Sequence, residues 1–253
     1  MSKLAEKLQR VYRGPVTPIG FRRSGEEETP QMLIVANLAD AGAKATKAAA
    51  SADAVIIRGE GLFAEGLKQL ASTLGDVPLG VLLEGAKSGE VAKVVAADCD
   101  FVVFDIKSPL EAVNKEGLGR ILKIEPSMDI GLVRAINGLP LSVDGVLISG
   151  EDSELTVERL LICQRLADLL DKPLLLTLGP SVTSSELSDL CAAGVKGIVV
   201  SSGLTAKAVA ELKKAISCLP KQTKRKIKAA PIIPMVRPEP EAVVEEEEEE
   251  DEE

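Results

Sequence analysis

Residues 172–204 read KPLLLTLGPSVTSSELSDLCAAGVKGIVVSSGL, and they contain the clearest structural pattern in the chain. It holds a leucine-rich apolar run, a Gly-Pro turn, a short amphipathic segment opened by Ser and Thr, a glycine stop and a second apolar run. That order predicts a strand, a helix and another strand. Two buried strands joined by a helix form a parallel pair with a right-handed crossover, and ligands of such units gather at the carboxyl ends of the strands. The stretch therefore predicts an α/β fold with its site at that edge.

Short apolar runs of the same kind occur eight times, each bounded by Gly, Pro, Asp or Ser and rich in branched residues, as expected for strands covered on both faces. They are 32–37, 54–58, 79–84, 101–105, 120–125, 145–149, 174–178 and 197–201. Helices are predicted between them, most clearly over 156–170 and 206–218, with short ones in 108–116 and 127–137. Eight such units in about 190 residues predict a single parallel (β/α)8 TIM barrel. A doubly wound open sheet stays the alternative, because periodicity does not show whether strand eight closes on strand one.

The charge divides the chain into segments. The net charge is −9 over 253 residues, but residues 237–253 hold one arginine and 11 acids, so residues 1–236 carry a net of +1. We expect an N-terminal helix and loop over 1–30, the barrel over 31–220, and a tail over 221–253 that is basic, then proline-rich, then acidic. Like charges repel and bury no apolar area, so the tail is expected to be disordered. It either keeps the protein soluble or recruits a basic protein partner.

The N-terminal helix carries Leu4, Leu8 and Val11 at helical spacing. We expect this face to cap the floor of the barrel, the alternative being docking on a membrane or nucleic acid. This face carries no aromatic residue that would favour membrane binding. Because the body is neutral and no apolar run approaches the roughly 18 residues that span a bilayer, we expect a cytoplasmic protein without membrane or nucleic-acid partners.

Histidine is absent from the sequence. This removes the commonest metal ligand and the commonest general base at neutral pH, and it excludes Ser-His-Asp, Cys-His and His-metal chemistry within this chain. The four cysteines are far apart and show no metal or redox spacing, so they are expected to be buried thiols. No metal centre is predicted, and the cofactor stays unknown.

Charged residues follow the ends of predicted strands two to five, where a barrel opens to its ligand. The candidate catalytic residues are Arg58, Glu84, Asp105, Lys107, Lys123 and Glu125. Lys123 is the most informative, because it interrupts an apolar strand and must meet a carboxylate if it points inward. Three roles stay open for it: a structural ion pair, an anion-binding group, or a Schiff-base nucleophile.

The segment from Leu176 to Leu204 resembles the closing part of the phosphate-binding TIM barrels, such as thiamine phosphate synthase, indole-3-glycerol phosphate synthase and the flavin-linked barrels. In that family, strand seven ends in Gly-Gly and strand eight in a Gly-Ser pair whose amides grip a phosphate. The corresponding positions here are Gly179-Pro180 and Ser201-Ser202-Gly203. The resemblance implies phosphate binding by the amides of Gly179, Ser181, Ser202 and Gly203. Proline at 180 removes one donor, so binding is expected to be weak.

Two functions follow from these patterns. One is a metal-independent lyase or isomerase acting on a small phosphorylated or carboxylated metabolite, with Lys123 or Lys107 as the amine or general acid and Glu125 or Asp105 as the base. The other is a barrel without catalysis that acts as a binding or scaffold protein through its charged tail. The charged mouth favours the first, whereas the absence of histidine and the Gly-Pro change favour the second. Whether the protein is an enzyme, whether it binds flavin, and its oligomeric state stay open.

Overall fold

The computed structural model describes residues 2–14, 29–38, 46, 48–58, 64–83, 99–150, 154–179, 181–200 and 205–220. Eight parallel strands close into a barrel in chain order, and the eighth pairs with the first. They are β1 (Leu33–Leu38), β2 (Ala54–Arg58), β3 (Leu79–Leu83), β4 (Phe101–Asp105), β5 (Gly119–Ile124), β6 (Gly145–Ile148), β7 (Leu174–Leu178) and β8 (Val195–Val200). The closed barrel confirms the predicted fold, and the open-sheet alternative is wrong.

Helices lie between most of these strands in the described ranges. They are α1 (Lys3–Arg13), α2 (Ala64–Leu74), α3 (Leu110–Val113), α4 (Ile130–Ala135), α5 (Val157–Leu169), α6 (Ser184–Ala192) and α7 (Ala206–Ser217). Side-chain caps fix several starts: the hydroxyls of Thr156, Thr183 and Thr205 each accept from the amide three residues on. The two helices predicted to be short, α3 and α4, have four and six residues. The tail over 221–253 and the loop over 15–28 lie outside the described residues.

Two apolar layers hold the barrel together. An outer layer packs one face of the strands against the surrounding helices. An inner layer fills the barrel with aliphatic side chains, and among its described members the only aromatic ring is that of Phe101. Successive strand residues alternate between these layers, so membership of the inner layer shows which positions point inward.

Inward-facing glycines make room inside the barrel. A Cβ at Gly80 would overlap the ring of Phe101, and a Cβ at Gly119 would lie 2.5 Å from the Ser2 hydroxyl. A Cβ at Gly145 would lie 3.3 Å from a methyl group of Leu8. These positions are therefore glycine because a ring and a helix occupy the space that their side chains would fill.

Helix α1 closes the amino-terminal end of the barrel. Leu4, Leu8 and Val11 are buried in the inner layer, so the helix caps the floor as the sequence predicted. The carboxylate of Asp100, next to β4, accepts from the Ser2 hydroxyl at 2.7 Å, the Lys3 amide at 2.7 Å and the Leu4 amide at 2.9 Å. One side chain thus satisfies the first amides of the helix and fixes it to the barrel.

Asp53 and Asp144 hold the corresponding positions before β2 and β6. The Asp53 carboxylate accepts from the Ile34 amide and that of Asp144 from the Arg120 amide, at 2.8 and 2.9 Å. Each joins a strand to the preceding one at the floor. Asp100 differs because its acceptor oxygens face α1.

The cysteines correct one expectation. Cys99, Cys163 and Cys191 are buried, but Cys218 is exposed, since α7 ends one residue earlier and leaves it on the surface. Burial raises the pKa of the Cys163 thiol to about 11. This thiol is therefore protonated at neutral pH. Within the described residues, no helix is long and apolar enough to cross a bilayer.

Removing the Asp100 carboxylate is expected to loosen the floor of the barrel. Asp100→Ala leaves three donors of the α1 terminus without their acceptor, so we expect the free energy of unfolding in urea to fall by about 2 kcal/mol. Asp76→Ala is the matched control, because Asp76 contacts the Lys3 amine at 3.3 Å but is fully exposed. The control should keep the wild-type midpoint, and equal losses in both variants would contradict this role of Asp100.

Gly80→Ala is expected to destabilise the barrel by about 1 to 3 kcal/mol, because the new methyl group meets the buried Phe101 ring. In a Phe101→Leu background the same change should cost at least about 1 kcal/mol less. Gly138→Ala, whose added methyl group meets no atom within 4 Å, is the control. Strict additivity of the two single losses, measured by urea denaturation, would refute the overlap.

Candidate functional site

A ring of polar side chains lies above the apolar interior at the carboxyl ends of the strands. Each member stands two residues after the last inner-layer residue of its strand, so alternation turns it inward. The described members are Asn37, Arg58, Asp105, Lys123, Ser149 and Thr177. Three are charged and three neutral, so this end of the barrel is equipped to bind a polar ligand.

Asp105 and Lys123 are neighbours in this ring. The register pairs them directly across β4 and β5, and adjacent strands lie about 4.8 Å apart. Both side chains are half-buried. The Asp105 carboxylate also accepts from the Lys107 amide at 2.9 Å and the Ser108 hydroxyl at 3.1 Å, so the turn after β4 orients it. A basic and an acidic side chain, Lys123 and Asp105, therefore lie side by side above the apolar inner layer.

Of the other candidates from the sequence, Arg58 belongs to the ring, whereas Lys107 and Glu125 do not. Arg58 is the last residue of β2, next to Leu82 of the inner layer, and is exposed. Lys107 and Glu125 follow the last residues of β4 and β5 and are exposed, so the strands do not turn them into the ring. Glu84, Ser202 and Gly203 lie outside the described residues.

Arg159 of α5 reaches the mouth, although it is not among the candidates named from the sequence. It lies in the first turn of α5, and its guanidinium donates to the Thr177 carbonyl at the end of β7. A Cβ at Gly150 would lie 2.5 Å from its Nη2 atom, so the guanidinium also lies against the chain leaving β6. A sequence signal could have identified Arg159: it is a basic residue in the first turn of the helix that follows Ser149-Gly150 at the end of β6.

The chain between β7 and α6 presents the first half of the expected phosphate site. Gly179 is half-buried and Ser181 is exposed, while Pro180 lies outside the described residues. Helix α6 starts with a capping box: the Glu186 carboxylate accepts from the Thr183 amide at 2.7 Å and its hydroxyl at 2.8 Å. An anion that approaches this helix start meets a carboxylate already bound there. The start of α6 itself therefore offers an anion little additional attraction.

A second concavity lies at the opposite end of the barrel. This cavity of about 340 Å³ is lined by Lys3, Cys99, Asp100 and Gly117 among others. Its carboxylate at Asp100 is already bonded to α1, and the cavity opens at the amino ends of the strands, away from the polar ring. Within the described ranges, no group of three or more Cys, Asp or Glu side chains is placed to hold a metal ion.

Solved structures of several proteins share this architecture. A mutant of the tryptophan synthase alpha-subunit from Pyrococcus furiosus has a TM-score of 0.57 at 13% identity, over 73% of this chain and 96% of that one. The thiamine phosphate pyrophosphorylase from the same organism has a TM-score of 0.55 at 17% identity, over 73% and 96%. A protein from Aquifex aeolicus VF5 has a TM-score of 0.56 at 13% identity, over 74% and 94%. The likeness shows the fold.

Thiamine phosphate pyrophosphorylase stands among these barrels, so the barrel fold that the resemblance implied is confirmed. At such low identities no residue role is carried over from them. No protein-family model and no curated protein sequence matches the chain. The function has to be argued from the residues at the mouth.

The capping box of α6 predicts a pH dependence. The hydrogen bonds from Thr183 hold the pKa of Glu186 below its ordinary value. A depressed pKa stabilises the fold above the unfolded-state value near 4.5, and this stabilisation is lost as the pH falls through the folded-state value. The wild type should therefore lose more stability between about pH 5 and pH 3 than Glu186→Gln does.

The measurement is urea denaturation of both proteins across this range. Because Glu186 is exposed, the difference should stay below about 1 kcal/mol. Thr183→Val removes the hydroxyl donor but keeps the amide donor, so its pH dependence should lie between the two. Identical profiles for wild type and Glu186→Gln would show that the cap does not contribute.

Proposed function

We propose that the barrel binds a small phosphorylated or carboxylated metabolite at its mouth and acts on it as a metal-independent lyase or isomerase. The observation that carries the proposal is the direct pairing of inward Lys123 with inward Asp105 at the carboxyl ends of β4 and β5. Active sites of barrels of this architecture lie at this end.

Charge supports an anionic ligand. Among the described residues at this end of the barrel, Arg58, Lys107, Lys123 and Arg159 are basic, and Asp105 and Glu125 are acidic. An anion entering here therefore meets more positive than negative charge on these residues. Arg159 is suited to planar recognition of a carboxylate or phosphate, since its guanidinium offers a fork of donors.

The pair also supports the chemistry. In the proposed lyase reaction the neutral Lys123 amine adds to a substrate carbonyl and, with loss of water, forms an imine whose nitrogen accepts the electron pair of the breaking C–C or C–H bond. The Asp105 carboxylate takes the proton of that C–H bond or, in C–C cleavage, the proton of the hydroxyl group on the departing carbon. In the isomerase form, protonated Lys123 donates to the enolate oxygen instead. Lys107, Glu125 and Glu84 stay in the proposal as rim groups, and Gly179, Ser181, Ser202 and Gly203 as amide donors to the anion.

A second candidate function is that of a binding or scaffold protein. It is favoured by Pro180, which removes a donor from the phosphate turn, and by the Glu186 carboxylate at the start of α6. In that case the acidic tail, with 11 acids in residues 237–253, recruits a basic protein partner.

Ligand screening tests the first function. The probes are inorganic phosphate, sugar phosphates, flavin mononucleotide and 2-oxo acids, with borohydride added to trap an imine. A ligand at ten times its dissociation constant should raise the melting temperature by about 4 °C. Lys123→Ala should lose both the shift and the trapped adduct, whereas Lys207→Ala, on the exposed face of α7, should keep both.

Asp105→Asn separates binding from chemistry. This variant should still be stabilised by the anion, because the cations remain, but it should turn over substrate about a hundredfold more slowly or worse. An adduct retained in Lys123→Ala would refute the role of Lys123. No shift with any probe, together with capture of a basic partner that depends on residues 237–253, would establish the scaffold instead.

A further inference from the structure

Apolar side chains are exposed on one side of the barrel. Among the described residues, seven of the eight exposed large apolar side chains lie between Ile106 and Leu161. This stretch contains the two shortest helices of the described shell, α3 and α4, and reaches the first two turns of α5. Val157 and Leu161 of α5 are 75% and 62% exposed. Val157 and Leu161 lie on successive turns of one helix, whereas exposed apolar residues that are scattered singly over a surface are ordinary.

Helix α5 presents a regular outer face. Cys163 and Leu166 turn inward and are buried in the outer layer. Val157 and Leu161 are four residues apart, so they lie one above the other on the outward stripe. Exposed Glu158 and Arg165 flank this stripe, and exposed Asp168 lies on it two turns after Leu161, seven residues beyond the proposed apolar contact. Seven residues are close to two helical turns, so Glu158 and Arg165 stand on the same side of the stripe with opposite charges.

This charge pattern complements itself about a two-fold axis. In an antiparallel pair of identical helices, the axis brings residues at equal distances on either side of it opposite each other. The midpoint of Glu158 and Arg165 lies between Leu161 and Ile162. An axis there sets Glu158 against Arg165 of the partner subunit, and Arg165 against Glu158 of the partner subunit, with the two Leu161 side chains in contact near the axis. We propose that two copies of the chain associate through α5 in this antiparallel arrangement.

The mixture of charges favours a second copy over other occupants. A strongly acidic segment, such as residues 245–253, would be attracted by Arg165 but repelled by Glu158, and a basic partner would meet the reverse. In the described part of the chain neither residue forms an ion pair, so both charges are available to a partner. Residues 1–236 carry a net charge of only +1, so two barrels meet with little general repulsion.

The proposal is tested on the full chain by sedimentation-velocity ultracentrifugation between about 1 and 100 μM, the range in which modest interfaces associate. The wild type is expected to approach twice the chain mass at the upper end. Leu161→Asp should sediment as a monomer throughout. Glu158→Arg and Arg165→Glu should each weaken the dimer about tenfold or more, since each sets like charges face to face at two symmetric positions.

The charge-swapped double variant, Glu158→Arg with Arg165→Glu, decides the geometry. It restores opposite charges across the axis and should regain most of the wild-type association. Glu211→Arg on α7, which is exposed on another helix, is the control and should not change the mass. Far-ultraviolet circular dichroism checks that each variant stays folded.

Each other outcome overturns the proposal. A wild type that stays monomeric at 100 μM excludes the dimer. A dimer that survives Leu161→Asp uses another surface. Single charge variants that weaken the dimer without recovery in the double variant exclude the antiparallel register.

Discussion

The interior of the barrel has to be filled, and this constraint shapes the floor of the molecule. With few aromatic residues in the chain, aliphatic side chains and one ring, that of Phe101, occupy the inner layer. The remaining space at the amino-terminal end is filled by α1, whose apolar face enters the inner layer. Glycines at 80, 119 and 145 allow this arrangement, since any side chain there would meet the ring or the helix.

A single carboxylate, that of Asp100, binds the amino-terminal end of α1. Asp53 and Asp144 tie one strand to the preceding one, whereas Asp100 turns its oxygens to the amides of Lys3 and Leu4 and so converts a sheet contact into a helix cap. Packing and hydrogen bonds close the amino-terminal end of the barrel, and the polar ring lies at the opposite end. There its side chains lie above the apolar inner layer, which lowers the local dielectric and strengthens every charge interaction.

The helices outside the barrel differ in length, and α3 and α4 are the shortest of those described. Where α3 is short, Arg120 points outward and its buried guanidinium donates to the carbonyls of Val113 and Lys115 at 2.9 and 2.6 Å. These hydrogen bonds hold the connection between α3 and β5 against the barrel. The same thin region exposes the apolar side chains that extend to α5. The mouth residues Asp105 and Lys123 lie on β4 and β5, whereas α5, the helix of the proposed dimer, follows β6 and packs against β7.

The strands and the predicted helices could be located to within a few residues from local signals, namely short apolar runs, glycine stops and threonine caps. The sequence also identified Lys123 and Asp105, since a charge in an apolar strand is conspicuous wherever the strand lies. The tertiary structure was needed to show that the barrel closes and that Lys123 and Asp105 pair directly. It was also needed to show that the Arg159 side chain contacts the end of β7. These contacts join segments that are distant in the sequence, and they follow from the shear of the sheet and the packing of the helices. Periodicity along the chain is a local property and does not predict them.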